Sequence, residues 1–371
     1  MKITFPHMGN IYIPLKVIFE ELGADVIVPP KCNKKALEIG TKYSPELICI
    51  PFKMNIGNYI QSIEKGADAI FMLGGCDVCR FGMYNVLQKD ILNDLGYNVD
   101  MICTNSFSNS KEIKSFIENL KRISGESNYI KLLDTFRKGV KILFEIDDFD
   151  DIVNKIRPRE INKGEVDRLY SQFENKINTA KGYKDTLSII KEYKMKLNEI
   201  DIDKEKDVLK IGLIGEIYTV IEPFINLNLE KKLGNMGIEV HRSITSSEFL
   251  KEQIDFLPFV KSEKEEVHKA ASPYLNLQIG GHALSTVGNA VRYSEKEYDG
   301  VIHLLPFTCM PEIVAQSILP TIEKEKDIPI LTLVLDEMTG EGGYLTRIEA
   351  FVDLLTRRRE VMANEKSLSW N

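Results

Sequence analysis

Cys76 and Cys79 stand two residues apart in LGGCDVCRFG, behind Gly74 and Gly75 and directly after the apolar run DAIFML. A Cys-x-x-Cys pair can hold a metal, cycle between dithiol and disulfide, or pack inertly in a turn. Redox cycling of the thioredoxin type is disfavoured, because Asp77 inside the pair opposes a thiolate. Zinc wants four closed ligands, usually as two close pairs. Only one close pair exists here, so zinc is the runner-up. The other cysteines are single. Cys49 ends the run ELICIPF, and Cys309 follows VIHLLPF. Cys103 ends NVDMIC and reads as a buried inert thiol no less than as a ligand. Cys32, among lysines in PPKCNKK, reads as an exposed thiol or one lying beside the ligands.

A [4Fe–4S] cluster takes cysteine thiolates and can leave one iron open to another ligand. Turn amides and helix N-termini offer positive ends to its anionic core. Gly74 and Gly75 would let backbone N–H groups approach the sulfides closely. The five histidines do not cluster in sequence. His303, inside an apolar strand, reads as a hydrogen-bonded core residue, whereas His282 in GGHALSTVGN is flanked by glycines. No P-loop, dinucleotide-binding glycine fingerprint or nucleophile elbow occurs.

The elements that must position these groups fall into three blocks. Residues 1–105 alternate short apolar strands (MKITF, ADVIVP, ELICIPF, DAIFML, NVDMICT) with segments of helical spacing, the pattern of a mostly parallel sheet. Residues 106–206 carry four charged amphipathic segments and read as a helical connector or cap. Residues 207–371 return to the α/β pattern, with a helix expected over EPFINLNLEKKLGNMG and a helical insert at 246–292. The halves echo each other. Lys2-Ile3 with Gly9-Asn10-Ile11-Tyr12 is answered by Lys210-Ile211 with Gly215-Glu216-Ile217-Tyr218. EKGADAIFML is answered by EKEYDGVIHL, so that Asp68 corresponds to Asp299. The expected architecture is two Rossmann-like, flavodoxin-like parallel-sheet domains joined by a helical segment. Cys49, Cys76, Cys79 and Cys309 then fall at strand ends, the edge where open α/β sheets bind ligands. If the domains face one another, these cysteines share a cleft. Glu216 and Tyr218, in the strand-end turn IGEIYT, and His282 are the candidate catalytic residues lining it.

Composition sets outer bounds. The chain has 371 residues, enough for two or three domains without disulfide staples. A net charge of −7 argues against general affinity for nucleic acid or an anionic membrane. No apolar run approaches a spanning helix, and MKITFPHMGNIY lacks a signal-peptide core. A cytoplasmic location and reduced thiols are expected.

The block PPKCNKKALEIGTKYSPELICIPFKMNIGNYI resembles proteins related to the activators of 2-hydroxyacyl-CoA dehydratases. So do CDVCRFGMY, IGEIYT, GGHALSTVGNAV, PFTCMPE and LVLDEMTGEGGYLTRIEAFVDLL. The resemblance runs from about residue 1 to residue 357. The group is in turn similar to the iron–sulfur subunits of those dehydratases and to double-cubane cluster proteins. It implies paired α/β domains with a cysteine-held [4Fe–4S] cluster between them, on Cys49, Cys309 and Cys76, Cys79 or both. A double-cubane [8Fe–9S] cluster would need about six thiolates, and Cys32 and Cys103 fall outside the motifs. A separate ATP-hydrolysing activator with its own iron–sulfur cluster would inject a low-potential electron. The chain would then serve reductive or radical dehydration-type chemistry, as a dehydratase or reductase component, or pass the electron on. A homologous subunit or second copy and an acyl-CoA or other small substrate are the further implied partners. The alternatives are a non-catalytic zinc protein and a small-molecule-binding α/β protein.

Overall fold

The computed structural model describes residues 1–73, 79–104, 110–125, 128–253 and 262–368. Gly74, Gly75 and Cys76 therefore lie outside the described residues, as does Trp370.

The first half runs β1 (Lys2–Thr4), α1 (Tyr12–Glu21), β2 (Asp25–Val26), α2 (Lys34–Tyr43), α3 (Ile50–Glu64), β3 (Ala69–Leu73), α4 (Tyr84–Asp94) and β4 (Asp100–Thr104). Its described strands form one parallel sheet in the order β2-β1-β3-β4. Side chains alternate across it, as a pleated strand requires. Ala69 and Phe71 join a core with α1, while Ile70 and Met72 join one with α3 and α4. Both faces are covered, which is why the strands read as continuous apolar runs.

The helical block follows as α5 (Ser110–Ser124), α6 (Tyr129–Ile156), α7 (Glu165–Thr179) and α8 (Gly182–Asn198). Its apolar faces complete the α1 side of the first sheet through Phe149, Phe173, Ile190 and Leu197. The helix expected at YIKLLDTFRKGVKILFEI continues through the acidic run to Ile156. Two of those acids are held inside: Asp150 by Arg242, and Asp147 by the Ser247 N–H at 2.7 Å.

The second half comprises β5 (Leu209–Gly215), α9 (Ile217–Ile221), α10 (Leu229–Asn235), β6 (Ile238–Arg242), α11 (Ser246–Gln253), α12 (Lys264–Ala271), α13 (Ala283–Glu295), β7 (Gly300–Pro306), α14 (Met310–Lys326), β8 (Ile330–Leu335) and α15 (Glu341–Leu368). The strand order β6-β5-β7-β8 repeats that of the first half, again parallel throughout. The echo extends to single bonds. The Lys2 N–H donates to Asp68 at 2.7 Å, and the Lys210 N–H donates to Asp299 at 2.7 Å. Each aspartate fixes the start of its first strand against the third. The chain is thus α/β with two Rossmann-like parallel sheets. No helix among the described residues is long and apolar enough to cross a membrane.

Two local expectations are corrected. ELICIPF is not a strand: Cys49 is the N-cap of α3, and Pro51 sits in its first turn, where a missing N–H costs nothing. The run looked strand-like because α3 is buried nearly all round, from Ile50 to Ile60. EPFINLNLEKKLGNMG is not one helix. Pro223 and the left-handed Leu227 and Asn228 make turns, and only Leu229–Asn235 is helical.

Candidate functional site

In each sheet the chain leaves the first strand in one direction and later returns to its other side. That reversal opens a crevice at the carboxyl ends of β1 and β3, and of β5 and β7, the usual ligand position. The loop after β3 carries Cys79, the turn after β5 carries Glu216, and the loop after β7 carries Cys309. Cys49 enters from the start of α3.

One backbone oxygen ties three of these segments together. The carbonyl of Leu47, two residues before Cys49, accepts from Arg80 Nη1 at 2.5 Å and from Thr308 Oγ1 at 3.0 Å. Arg80 also donates through Nη2 to the carbonyl of Thr308. Arg80 follows Cys79 and Thr308 precedes Cys309, so the residues flanking the three cysteines are in mutual contact. Cys309 caps α14 as Cys49 caps α3, each followed by x-Pro, and Cys79 precedes a short 3-10 turn at 80–83. Helix N-termini present positive ends and free N–H groups.

The thiols feel one another and a common carboxylate. Cys49 shares a 2.7 Å hydrogen bond with the Tyr84 hydroxyl. Burial pushes the Cys49 thiol up, with the charge of Glu216 adding to it and Tyr84 and Arg80 opposing. Burial raises Cys309 strongly, and Glu216 and Glu312 raise it further. Both are therefore protonated thiols until something positive takes the proton's place. Glu216 accepts the N–H groups of Tyr218 and Thr219, each at 3.0 Å, and caps α9. Burial pushes its carboxyl up to about 7, with Glu312 nearby adding to the rise. A raised folded-state pKa gives stability that is full below the unfolded value and is lost as pH rises through the folded one. The metal-free protein is thus expected to lose stability between about pH 4.5 and pH 7 through Glu216. In urea titrations at pH 5 and pH 8, Glu216→Gln should shrink that difference. An equal difference in both proteins would refute the assignment.

Two motif residues support the loops from below. Lys53, in CIPFK, is 2 % exposed and pairs with Glu337 of the DEMTG segment at 2.5 Å, also donating to the Glu46 carbonyl. Glu312, in PFTCMPE, is fully buried and bonds His303 at 2.9 Å and Thr286 at 2.9 Å. His303 is the hydrogen-bonded core residue its strand position suggested.

The remaining candidates separate. His282 is the N-cap of α13, its ring 6.1 Å from that of Phe249, and the adjoining Gly281 packs on Pro311. Tyr218 is not at the cysteine loops. It is buried at a second cluster, where its hydroxyl donates to the His7 carbonyl at 2.8 Å and lies 3.4 Å from Cys32 Sγ. Cys32 is not exposed either: only 7 % of it is accessible. Burial raises its thiol well above the usual value, and Glu222 adds to this. It lies 3.8 Å from His7 Nδ1, which shares a 3.1 Å hydrogen bond with Glu222 Oε2. Sequence reasoning missed His7 and Glu222. The one available signal was position, since each lies between the first and second strands of its half. Cys103 stands near the end of β4, where its carbonyl accepts from Asn119.

Among known proteins, residues 7–72 match the family model described as CoA enzyme activase uncharacterised domain (DUF2229). That span runs from His7 through Cys32, Cys49 and Lys53 to the end of β3, so it covers residues of both clusters. No curated protein matches the chain. Residues 7–72, within the first α/β half, are thus similar to a domain described from CoA enzyme activases.

Proposed function

We propose that this chain is an iron–sulfur component of a CoA-ester dehydratase-type system. In this reading Cys49, Cys79 and Cys309 hold a [4Fe–4S] cluster, and Cys76 stands close enough in sequence to replace or join Cys79. The observation that carries the reading is the Leu47 carbonyl, which binds the neighbours of all three cysteines into one frame. The donor set fits: thiols from three loops, two of them at helix starts, where positive backbone ends favour an anionic core. The bound cluster would supply one-electron chemistry at an iron left open to an outside ligand. The protein's own part is to fix the loops through Arg80 and Thr308 and to keep the thiols away from water. The match to a CoA enzyme activase domain supports an association with a separate ATP-hydrolysing activator that delivers the electron. An acyl-CoA is the substrate class this implies.

Anaerobic reconstitution with iron and sulfide is expected to give a brown protein with about four of each per chain. A paramagnetic signal should follow reduction. Cys309→Ser should retain less than about a third of the iron, because Cys309 is the one thiolate that the second half supplies. A colourless protein with bound zinc and no sulfide would overturn the reading and favour the zinc alternative. Full iron content in both Cys49→Ser and Cys309→Ser would overturn it equally.

A further inference from the structure

The second cluster brings together three different ligand atoms from both halves of the chain. His7 comes from the loop after β1, Cys32 from the segment before α2, and Glu222 from the turn after α9. His7 Nδ1, Cys32 Sγ and a Glu222 oxygen all lie within 4.8 Å of one another, and all three residues are buried. A tetrahedral ion with bonds of about 2.0–2.3 Å separates its ligand atoms by roughly 3.4–3.6 Å. The His7–Glu222 and His7–Cys32 separations, 3.1 and 3.8 Å, fall within a few tenths of an ångström of that. Neighbouring groups already hold the ligands in place. Glu222 Oε2 accepts the Gly9 N–H at 2.8 Å, and Glu222 Oε1 accepts the Phe224 N–H at 3.1 Å. Asn58 Nδ2 donates to Cys32 Sγ at 3.3 Å. Partners of this kind orient metal ligands and tune their donor strength. His7 also lines a cavity of about 270 Å³, together with Tyr12, Lys16 and Asn178.

We propose that His7, Cys32 and Glu222 form a binding site for a divalent d-block cation of the zinc type, separate from the cysteine loops. The mixed nitrogen, sulfur and oxygen set selects zinc or cobalt over the hard cations magnesium and calcium, which take oxygen alone. Binding releases the Cys32 thiol proton. It also replaces the hydrogen bond between His7 and Glu222, with His7 coordinating through Nδ1 and carrying its proton on Nε2. Because Glu222 comes from the second half and the other two ligands from the first, the ion staples the halves together. It should raise thermal stability by mass action.

Cobalt(II) is the direct probe, used on reduced, chelator-treated full-length protein carrying Cys49→Ser, Cys76→Ser, Cys79→Ser and Cys309→Ser, so that the cysteine loops cannot supply the signal. The expected result is one cobalt per chain with a thiolate-to-cobalt charge-transfer band and the visible bands of a tetrahedral ion. Adding Cys32→Ser should abolish the charge-transfer band and weaken cobalt binding by more than about tenfold. Zinc should displace cobalt and raise the thermal midpoint of the parent. Glu222→Gln, with the thiol intact, should lower cobalt affinity and flatten the zinc-dependent rise. Absence of the charge-transfer band in the parent, or its persistence after Cys32→Ser, overturns the site. So does a zinc-independent midpoint in the parent. These readouts need neither iron nor sulfide, so failure here leaves the iron–sulfur reading standing, and the reverse.

Discussion

Gly57→Ala is expected to destabilise the protein by about 3 kcal/mol or more, towards the upper end for overpacking a core. Helices α2 and α3 touch backbone to backbone at two points. A methyl group on Gly57 would lie 1.8 Å from the Ala36 carbonyl oxygen, and one on Gly40 would lie 1.7 Å from that of Lys53. Neither obstacle is a flexible side-chain end, so the helices must separate. That motion bears on both clusters, because Cys49 caps α3, Lys53 lies within it and Cys32 immediately precedes the cap of α2. Chemical denaturation of Gly57→Ala should show the loss, and the variant should also bind less iron. Gly342→Ala is the control. It lies near the start of α15 with nothing within 4 Å of the added methyl, so it should be neutral or stabilising by up to about 1 kcal/mol. Similar losses at both positions would rule out the close-contact explanation.

Arg242→Ala is expected to cost about 3–5 kcal/mol, the usual penalty for stranding a buried charge. The guanidinium is 6 % exposed and bonds Glu230 at 2.8 Å and Asp150 at 3.1 Å. Asn10 adds bonds to both oxygens of Asp150, at 3.1 and 3.2 Å. The network joins α6 to β6 and to the loop after β1, so it sets how the helical block meets both sheets. Burial pushes the Asp150 carboxyl up to about 6, and Arg242 beside it holds it from rising further. Removing Arg242 removes that restraint. A carboxyl with a raised folded-state pKa keeps its stability when protonated and loses it as pH rises through that value. The damage in Arg242→Ala should therefore be smaller at pH 5 than at pH 8. Adding Asp150→Asn should recover at least about 1 kcal/mol at pH 8. A pH-independent loss, or no recovery, would show that the guanidinium acts through packing alone.

Much of the fold was legible along the chain because a strand or helix writes its period within about ten residues. DAIFML and VIHLLPF declared themselves as buried parallel strands by length and apolar content. The Asp68 and Asp299 echo foretold a shared register that the two Lys–Asp bonds realise. Where local reading failed, a buried helix had hidden its period. ELICIPF looked like a strand because no face of α3 is polar enough to show a 3.6-residue rhythm. The Cys-x-Pro pattern, common to Cys49-Ile50-Pro51 and Cys309-Met310-Pro311, was the available sign of a helix start.

By itself, the sequence determined two similar parallel α/β units, a helical block between them, and a set of thiols concentrated in the loops of those units. Only the tertiary structure decided which groups meet. Leu47 and Thr308 are 261 residues apart, and His7 and Glu222 are 215 apart. Contacts at that range depend on how whole sheets and helices pack, and local periodicity carries no record of it. That packing placed Tyr218 and Cys32 with His7 and Glu222, and left Glu216 near enough to Cys49 and Cys309 for both thiols to feel its charge.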